Sequence, residues 1–466
     1  MNKTVAFVSL AAGLALTALV LGLPRVAPPH PATPVPPSKP ATASNGSLTM
    51  TSRLSHPYIT PGSSDLFVTV DITGVEVPGS KRTPVNLAVV IDRSGSMSGY
   101  KLQQAKQAAR HLVGLLGPED RLAIVHYGSD VKSLPSLPAS PSNRERMLQY
   151  IEGIWDDGGT NIGAGLHTGR SLVAAVRGDY TVNRIILLSD GQATEGITDD
   201  ASLTEVVKGI RTEGITVSAI GVGTDFNEDL MQGFAEYGAG AYGFLEDAGQ
   251  LASLFQKDLQ QASTSVARNV ELTFQLPEGV MLGEVLGYRA HQEGRTVRVP
   301  LPDFSSGQVE RVVARVTVVG TRAGSAVDVT GLKLAYADLL KGAGVESAAS
   351  LSAMVTERRE EVLARQDKDA TVYATRAMSA KNLKMAAQAL RDGRKEEAKG
   401  YVMQNQALFE QAGAVASPSA VAADLEEQRA VLQEYEQASD DESVGAAVKR
   451  TKSKAMKSFG KLGSTY

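Results

Sequence analysis

From residue 85 to residue 261 the chain alternates between two rhythms. Short, almost uninterrupted apolar runs at 85–91, 121–127, 183–189, 216–222 and 241–245 read as strands buried on both faces, as in an inner parallel sheet. Between them, apolar residues recur at three- and four-residue spacing over 101–116, 162–176, 203–213, 228–237 and 248–261, which predicts amphipathic helices. Strand and helix in turn predict an α/β fold with a doubly wound, mainly parallel sheet. Its site should be built from loops at the carboxyl ends of the strands.

On either side the rhythm changes. Residues 47–72 before this stretch, and 270–276, 297–301, 309–319 and 326–336 after it, are rich in β-branched residues and bounded by Gly- and Ser-rich turns. They predict one antiparallel β-sandwich assembled from both flanks, with the α/β domain inserted into it. From residue 348 to about 437 the pattern turns helical, punctuated by Gly393, Gly413 and Pro418, and predicts a small helical bundle packed on the sandwich. Lys449, Arg450, Lys452, Lys454, Lys457 and Lys461 then form a basic tail, expected to be solvated and mobile.

At the other end, Lys3 precedes the uncharged stretch 5–23, roughly 28 Å long as a helix and nearly enough to cross a bilayer. No small-x-small cleavage site precedes Pro24, so an uncleaved anchor is expected over a cleaved export signal. Either places the body outside the cytosol, in a cell envelope or secreted. Eight of the 20 prolines follow within 24–40 and predict an extended spacer. The expected organisation is a signal peptide or membrane anchor (1–23), a Pro-rich linker (24–46), an N-terminal flank of the sandwich (47–83), the α/β domain (84–262), a C-terminal flank of the sandwich (263–345), a helical bundle (346–440) and a basic disordered tail (441–466).

Composition narrows the chemistry. The 466 residues include no cysteine, which excludes disulfide scaffolds, thiolate zinc sites, iron–sulfur clusters and cysteine nucleophiles. With 51 acidic and 47 basic residues the chain lacks the basic surplus of a nucleic-acid binder. None of the six histidines lies at a zinc-protease spacing.

What remains is oxygen chemistry. Asp92, Ser94 and Ser96 alternate along the loop leaving the 85–91 strand and can turn three oxygens towards one point. Gly158-Gly159-Thr160 and Ser189-Asp190-Gly191 bring two more polar loops. Three hydroxyls and two carboxylates suit a hard divalent cation, Mg²⁺ first, with Mn²⁺ or Ca²⁺ possible. Hydroxyls are weak ligands and two carboxylates only neutralise the ion, so it should stay electrophilic and keep a position for a partner's carboxylate.

At these residues the sequence resembles the von Willebrand factor A domain family and its metal-ion-dependent adhesion site. Asp92, Ser94, Ser96, Thr160 and Asp190 match the family's Asp-x-Ser-x-Ser with a distant Thr and a distant Asp, across roughly residues 84–262. The resemblance implies metal bound directly by Ser94, Ser96 and Thr160. Asp92 and Asp190 would bind directly or through water, and an acidic residue of a protein ligand would complete the shell. The flanking pattern looks like that of bacterial envelope proteins with this domain and of inter-alpha-trypsin inhibitor heavy chains.

Arg93, Tyr100, Asp157 and Trp155 are candidates for the rim that touches the ligand, although a lone tryptophan is more often packed. The expectation is therefore an exported, metal-dependent protein-binding protein and not an enzyme. The alternatives are a hydrolase using the same cation, for which His126 is the one candidate base, and a structural envelope protein. No phosphate loop, His-Glu-x-x-His or Gly-x-Ser-x-Gly motif supports catalysis.

Overall fold

The computed structural model describes residues 40–77, 83–190, 192–222, 226–245 and 251–459. The 5–23 stretch and most of the proline spacer lie outside the described residues. The first flank gives β1 (Ala41–Ser44), β2 (Leu48–Leu54), β3 (Tyr58–Ile59) and β4 (Gly62–Gly74). The central stretch follows as β5 (Val85–Asp92), α1 (Tyr100–Leu115), β6 (Arg121–Tyr127), β7 (Val131–Pro138), α2 (Pro141–Glu152), α3 (Ile162–Ala174), β8 (Val182–Ser189), α4 (Asp200–Thr212), β9 (Thr216–Val222), α5 (Glu228–Tyr237), β10 (Ala239–Leu245) and α6 (Leu251–Ser263). The second flank supplies β11 (Ser265–Gln275), β12 (Val280–Leu286), β13 (His291–Glu293), β14 (Thr296–Pro300), β15 (Phe304–Ser305), β16 (Val309–Gly320), β17 (Ala326–Asp338) and β18 (Ala343–Val355). Helices α7 (Arg359–Ala364), α8 (Lys368–Arg391), α9 (Lys395–Val415), α10 (Ala422–Gln437) and α11 (Asp441–Ser458) complete the described chain.

The central sheet has the order β10-β9-β8-β5-β6-β7 and is parallel except for β7. Every residue of β5, β8 and β9 is buried, as their unbroken apolar runs require. One face packs against α1, α2 and α6 through Leu102, Leu112, Met147, Phe255 and Leu259. The other packs against α3, α4 and α5 through Leu166, Leu203, Val207 and Phe234. Helices on both faces make the sheet doubly wound, and the pairing of Ile91 with Leu188 brings the carboxyl ends of β5 and β8 out side by side.

The outer sheets join the two flanks. β16 lies between β4 and β12, and it pairs with β4 in register from Val309↔Thr73 to Gly320↔Gly62. The second sheet, β13-β14-β11-β17-β18-β3, is antiparallel except where β3 runs parallel to β18. Between the sheets, Leu66, Val68 and Val70 of the first flank share a core with Phe274, Val316, Leu332 and Leu334 of the second. A sandwich built from both flanks thus carries the α/β domain as an insertion.

Three segments depart from expectation. Residues 41–44 of the linker are strand β1, antiparallel to β2. Residues 346–355, assigned to the helical bundle, belong to β18, whose Ala- and Ser-rich sequence has little β-propensity of its own; pairing along β17 decides its state. Of the expected disordered tail, 441–458 is helix α11. Its Ala447, Val448 and Ala455 enter a core with Leu383, Leu390 and Tyr435 of the bundle and Val313 and Leu286 of the sandwich. Two of its lysines are paired and largely withdrawn from solvent: Lys449 and Lys452 share Glu228, at the start of α5, which Arg391 also reaches.

Candidate metal centre

Four of the five sequence-selected oxygen residues meet in one hydrogen-bonded chain. Asp92 ends β5, and its Oδ1 accepts the Ser94 N–H at 2.9 Å, which bends the loop back over the strand. Its Oδ2 accepts from Ser189 Oγ at 2.6 Å and from the Tyr127 hydroxyl at 3.3 Å. Ser94 Oγ lies 3.1 Å from Ser96 Oγ, and Ser96 Oγ donates to Asp190 Oδ1 at 2.8 Å. Lys101 Nζ pairs with the other oxygen, Asp190 Oδ2.

Thr160 joins through its backbone. Gly95 N–H donates to the Gly158 carbonyl at 3.1 Å, tying the Ser94–Ser96 loop to the Thr160 loop. Thr160 N–H donates to Thr194 Oγ1, and its carbonyl accepts from Thr194 N–H, which locks it to the loop after Asp190. Gly158 is needed here: its φ is +69°, and a Cβ would sit 2.2 Å from Ser129 Oγ. Lys106 Nζ donates to the carbonyls of Glu152 and Ile154, fixing the exit of α2 that leads into this loop.

The electrostatics fit a cation. Asp92 and Asp190 are both buried. Burial pushes the Asp92 carboxyl above its ordinary value, hydrogen bonds from Ser189 and Ser94 pull it down, and the charge of Asp190 pushes it up again. Burial likewise raises the Tyr127 hydroxyl well above its ordinary value, with Asp92 adding to the effect, so Tyr127 remains a neutral donor. Two buried carboxylates set among serine hydroxyls, with no imidazole or thiolate, form a hard-oxygen donor set. Among the described residues no group of three or more His, Cys, Asp or Glu could hold a metal, so a cation here would rely on the hydroxyls.

The rim candidates divide. Tyr100, at the first position of α1, is 62% exposed, and Trp155 is 74% exposed, with Lys106 Nζ 5.7 Å from its ring centre. Trp155 is therefore not the packed residue that a lone tryptophan more often is. Arg93 is buried, and its guanidinium pairs with Asp130 and, at 3.2 Å, with Asp157 at the wall of the groove that Trp155 also lines. Asp157, exposed, serves that clamp, and its N–H donates to the Arg93 carbonyl at 2.8 Å. His126 is buried against Tyr150, and burial first, then Arg93 and Lys132, lowers its pKa to about 4.

Sequence reasoning quoted Ser189 only as part of its polar loop, and singled out neither Tyr127, Lys101 nor Lys106. Tyr127 carried a signal, since β5 and β6 run parallel and Asp92 pairs directly with Tyr127. Gly165 of α3 makes room for that ring, because a Cβ there would lie 2.6 Å from it.

Comparison with known proteins agrees with this architecture. Residues 86–257 match the family model for the von Willebrand factor type A domain. The uncharacterized protein YfbK of Escherichia coli (strain K12) is 31% identical over 229 residues, which is 48% of this chain and 39% of that protein. Inter-alpha-trypsin inhibitor heavy chain H3 of Rattus norvegicus is 27% identical over 206 residues, 43% of this chain and 23% of that one. This chain thus spans well under half of either relative. Among solved structures, a von Willebrand factor type A protein from Catenulispora acidiphila has TM-score 0.66 at 16% identity, over 86% of this chain and 95% of that chain. The ArnB paralog VWA2 from Sulfolobus acidocaldarius has TM-score 0.56 at 19% identity, over 89% and 99%. The shared fold thus extends beyond the central domain into the flanking sheets and helices. Residues 86–257 are thus a von Willebrand factor type A domain, of a family whose domains often mediate metal-dependent protein–protein interaction.

Proposed function

We propose that this is an exported protein-binding protein of adhesive or assembly type, in which Asp92, Ser94, Ser96, Thr160 and Asp190 hold a divalent cation, Mg²⁺ before Mn²⁺ or Ca²⁺. The observation that carries the reading is the hydrogen-bonded chain Asp92–Ser94–Ser96–Asp190 at the adjoining carboxyl ends of β5 and β8. When bound, the cation would supply a Lewis-acidic position for one carboxylate oxygen of a Glu or Asp on a protein partner. The protein's own residues do the rest. Ser189 and Tyr127 hold the Asp92 carboxylate in place, and the Gly158–Thr160 loop fixes the second side of the seat.

Exposed Tyr100 and Trp155 offer apolar contact to the residues flanking that acid, and a groove lined by Lys132, Tyr150, Trp155 and Asp157 runs alongside. A hydrolase would need a base, and His126, with its pKa near 4 and its ring packed on Tyr150, is a poor one at neutral pH. Export is supported by the apolar 5–23 stretch behind Lys3; among the described residues no helix is long and apolar enough to cross a membrane.

The test is capture of partners from a membrane fraction by immobilised protein, with Mg²⁺ or with EDTA. Partners should be retained only with Mg²⁺, and Ser94→Ala, Ser96→Ala and Thr160→Ala should each lose them while keeping the wild-type circular dichroism. Retention in EDTA, or by all three variants, would refute the reading. So would turnover of an ester, phosphate or peptide library by wild type and not by Thr160→Ala.

A further inference from the structure

Lys101 stands where a helix resists a cation. It is the second residue of α1, whose first turn contains no acid, and the positive end of a helix disfavours an ammonium there. Its side chain is nonetheless drawn in to 29% exposure, onto Asp190, whose own side chain is fully buried. The two oxygens of Asp190 thus divide their work: Oδ1 accepts from Ser96 and Oδ2 takes the ammonium.

We propose that Lys101 is a charge-setting residue of the metal centre, one that weakens the hold on the divalent cation and strengthens the hold of the loaded site on a partner's carboxylate. This rests on the proposed metal reading. Without Lys101, two carboxylates and a divalent cation would sum to zero, and an incoming acid would meet a neutral site. With the ammonium on Asp190, the protein contributes a single net negative charge, and the loaded site keeps one positive charge in excess. The same ammonium repels the metal and attracts the acid, so its removal must move the two affinities in opposite directions. A residue that merely braced Asp190 would weaken both when removed.

The experiment uses the full chain and two probes, Mg²⁺ or Mn²⁺ alone and then acetate. Calorimetric titration of Lys101→Met should show Mg²⁺ binding about tenfold tighter than in wild type, the scale of one nearby unit charge partly screened by solvent. Lys101→Arg, which keeps the charge, should stay within about twofold of wild type, since its guanidinium can pair with the same carboxylate. In EDTA, Lys101→Met should melt below wild type, because Asp190 has lost its counter-charge, while its Mg²⁺-induced rise in Tm should be the larger. Acetate titrated onto the Mn²⁺-loaded proteins and followed by the Mn²⁺ electron paramagnetic resonance line should bind Lys101→Met more weakly. Equal or weaker Mg²⁺ binding by Lys101→Met overturns the proposal while leaving the metal seat standing if wild type binds. Failure of wild type to bind Mg²⁺ overturns both.

Discussion

Glu228 offers a sharp test of how the C-terminal helices are held against the α/β domain. It starts α5, is buried, and is met by Arg391 from α8 and by Lys449 and Lys452 from α11. Burial alone would raise its carboxyl, but the hydrogen bond and charge of Lys452, with the charges of Arg391 and Lys449, hold it below the ordinary value of 4.5. Glu228→Gln keeps the shape and removes the charge, leaving two lysines close together and largely withdrawn from water. Removing one member of a buried ion cluster costs about 3–5 kcal/mol. Arg391 is 43% exposed and partly screened, which lowers the expected loss to about 2–3 kcal/mol. Against an unfolding entropy of about 2.1 cal/mol/K per residue over a body of about 400 residues, that is a fall in Tm of about 3 °C. Scanning calorimetry at pH 7 reads it directly. Because the folded-state value lies below the unfolded one, the stabilisation is complete above the unfolded value and is lost as pH falls through the folded one. The gap between wild type and Glu228→Gln should therefore close on acidification. An unchanged Tm at pH 7, or a gap that does not shrink with falling pH, would refute the role given to this cluster.

Other perturbations probe the remaining joints. Gly158→Ala should cost about 1–2 kcal/mol of stability by chemical denaturation, from the positive φ and the clash with Ser129, and should weaken Mg²⁺ binding as well; a silent substitution would show that this turn does not set the Thr160 loop. Asp92→Asn relieves a buried charge facing Asp190 and its oxygen can still accept from Ser94 N–H, while its amide NH2 replaces Oδ2 and requires the Ser189 and Tyr127 hydroxyls to accept instead of donate. The Tm measured in EDTA should rise, by about 1 kcal/mol of stability, and a lower Tm would mean that the hydrogen bonds from Ser189 and Tyr127 outweigh the relieved charge. A chain retaining residues 47–83 but ending at 262 leaves β4 without β16 and should aggregate more, by light scattering, than residues 84–262 alone; equal solubility would mean that the first flank does not depend on the second.

The legible stretches of this sequence were those where local pattern and tertiary role agree. β5, β8 and β9 are buried throughout, so their apolar runs announced an inner parallel sheet, and the polar loops after β5 and β8 marked the candidate site. β7 escaped because Pro135 and Pro138 interrupt it, which an edge strand can bear and a central one cannot. α2 escaped because it buries only Met147 and Ile151, although Ser140 and Pro141 mark its start. β18 reads as helix from its alanines and becomes a strand only by pairing with β17. α11 reads as a solvated tail because its lysines find Glu228 more than two hundred residues away, a partner no local pattern can reveal. At the site the same division holds. Asp92, Ser94 and Ser96 follow from spacing, whereas the burial of Arg93 does not, because its partners Asp130 and Asp157 arrive from other loops.

The most direct measurement is the melting temperature of the full chain with saturating Mg²⁺ and with EDTA, for wild type, Asp92→Ala and Asp190→Ala. A ligand at one hundred times its Kd stabilises the native state by about 2.7 kcal/mol, which for a chain of this size is a rise of about 3 °C. Wild type should show that rise, and both variants should lose it while keeping the wild-type circular dichroism. An undiminished Mg²⁺-induced rise in Asp92→Ala and Asp190→Ala would place the cation elsewhere and contradict the metal centre proposed at the end of β5.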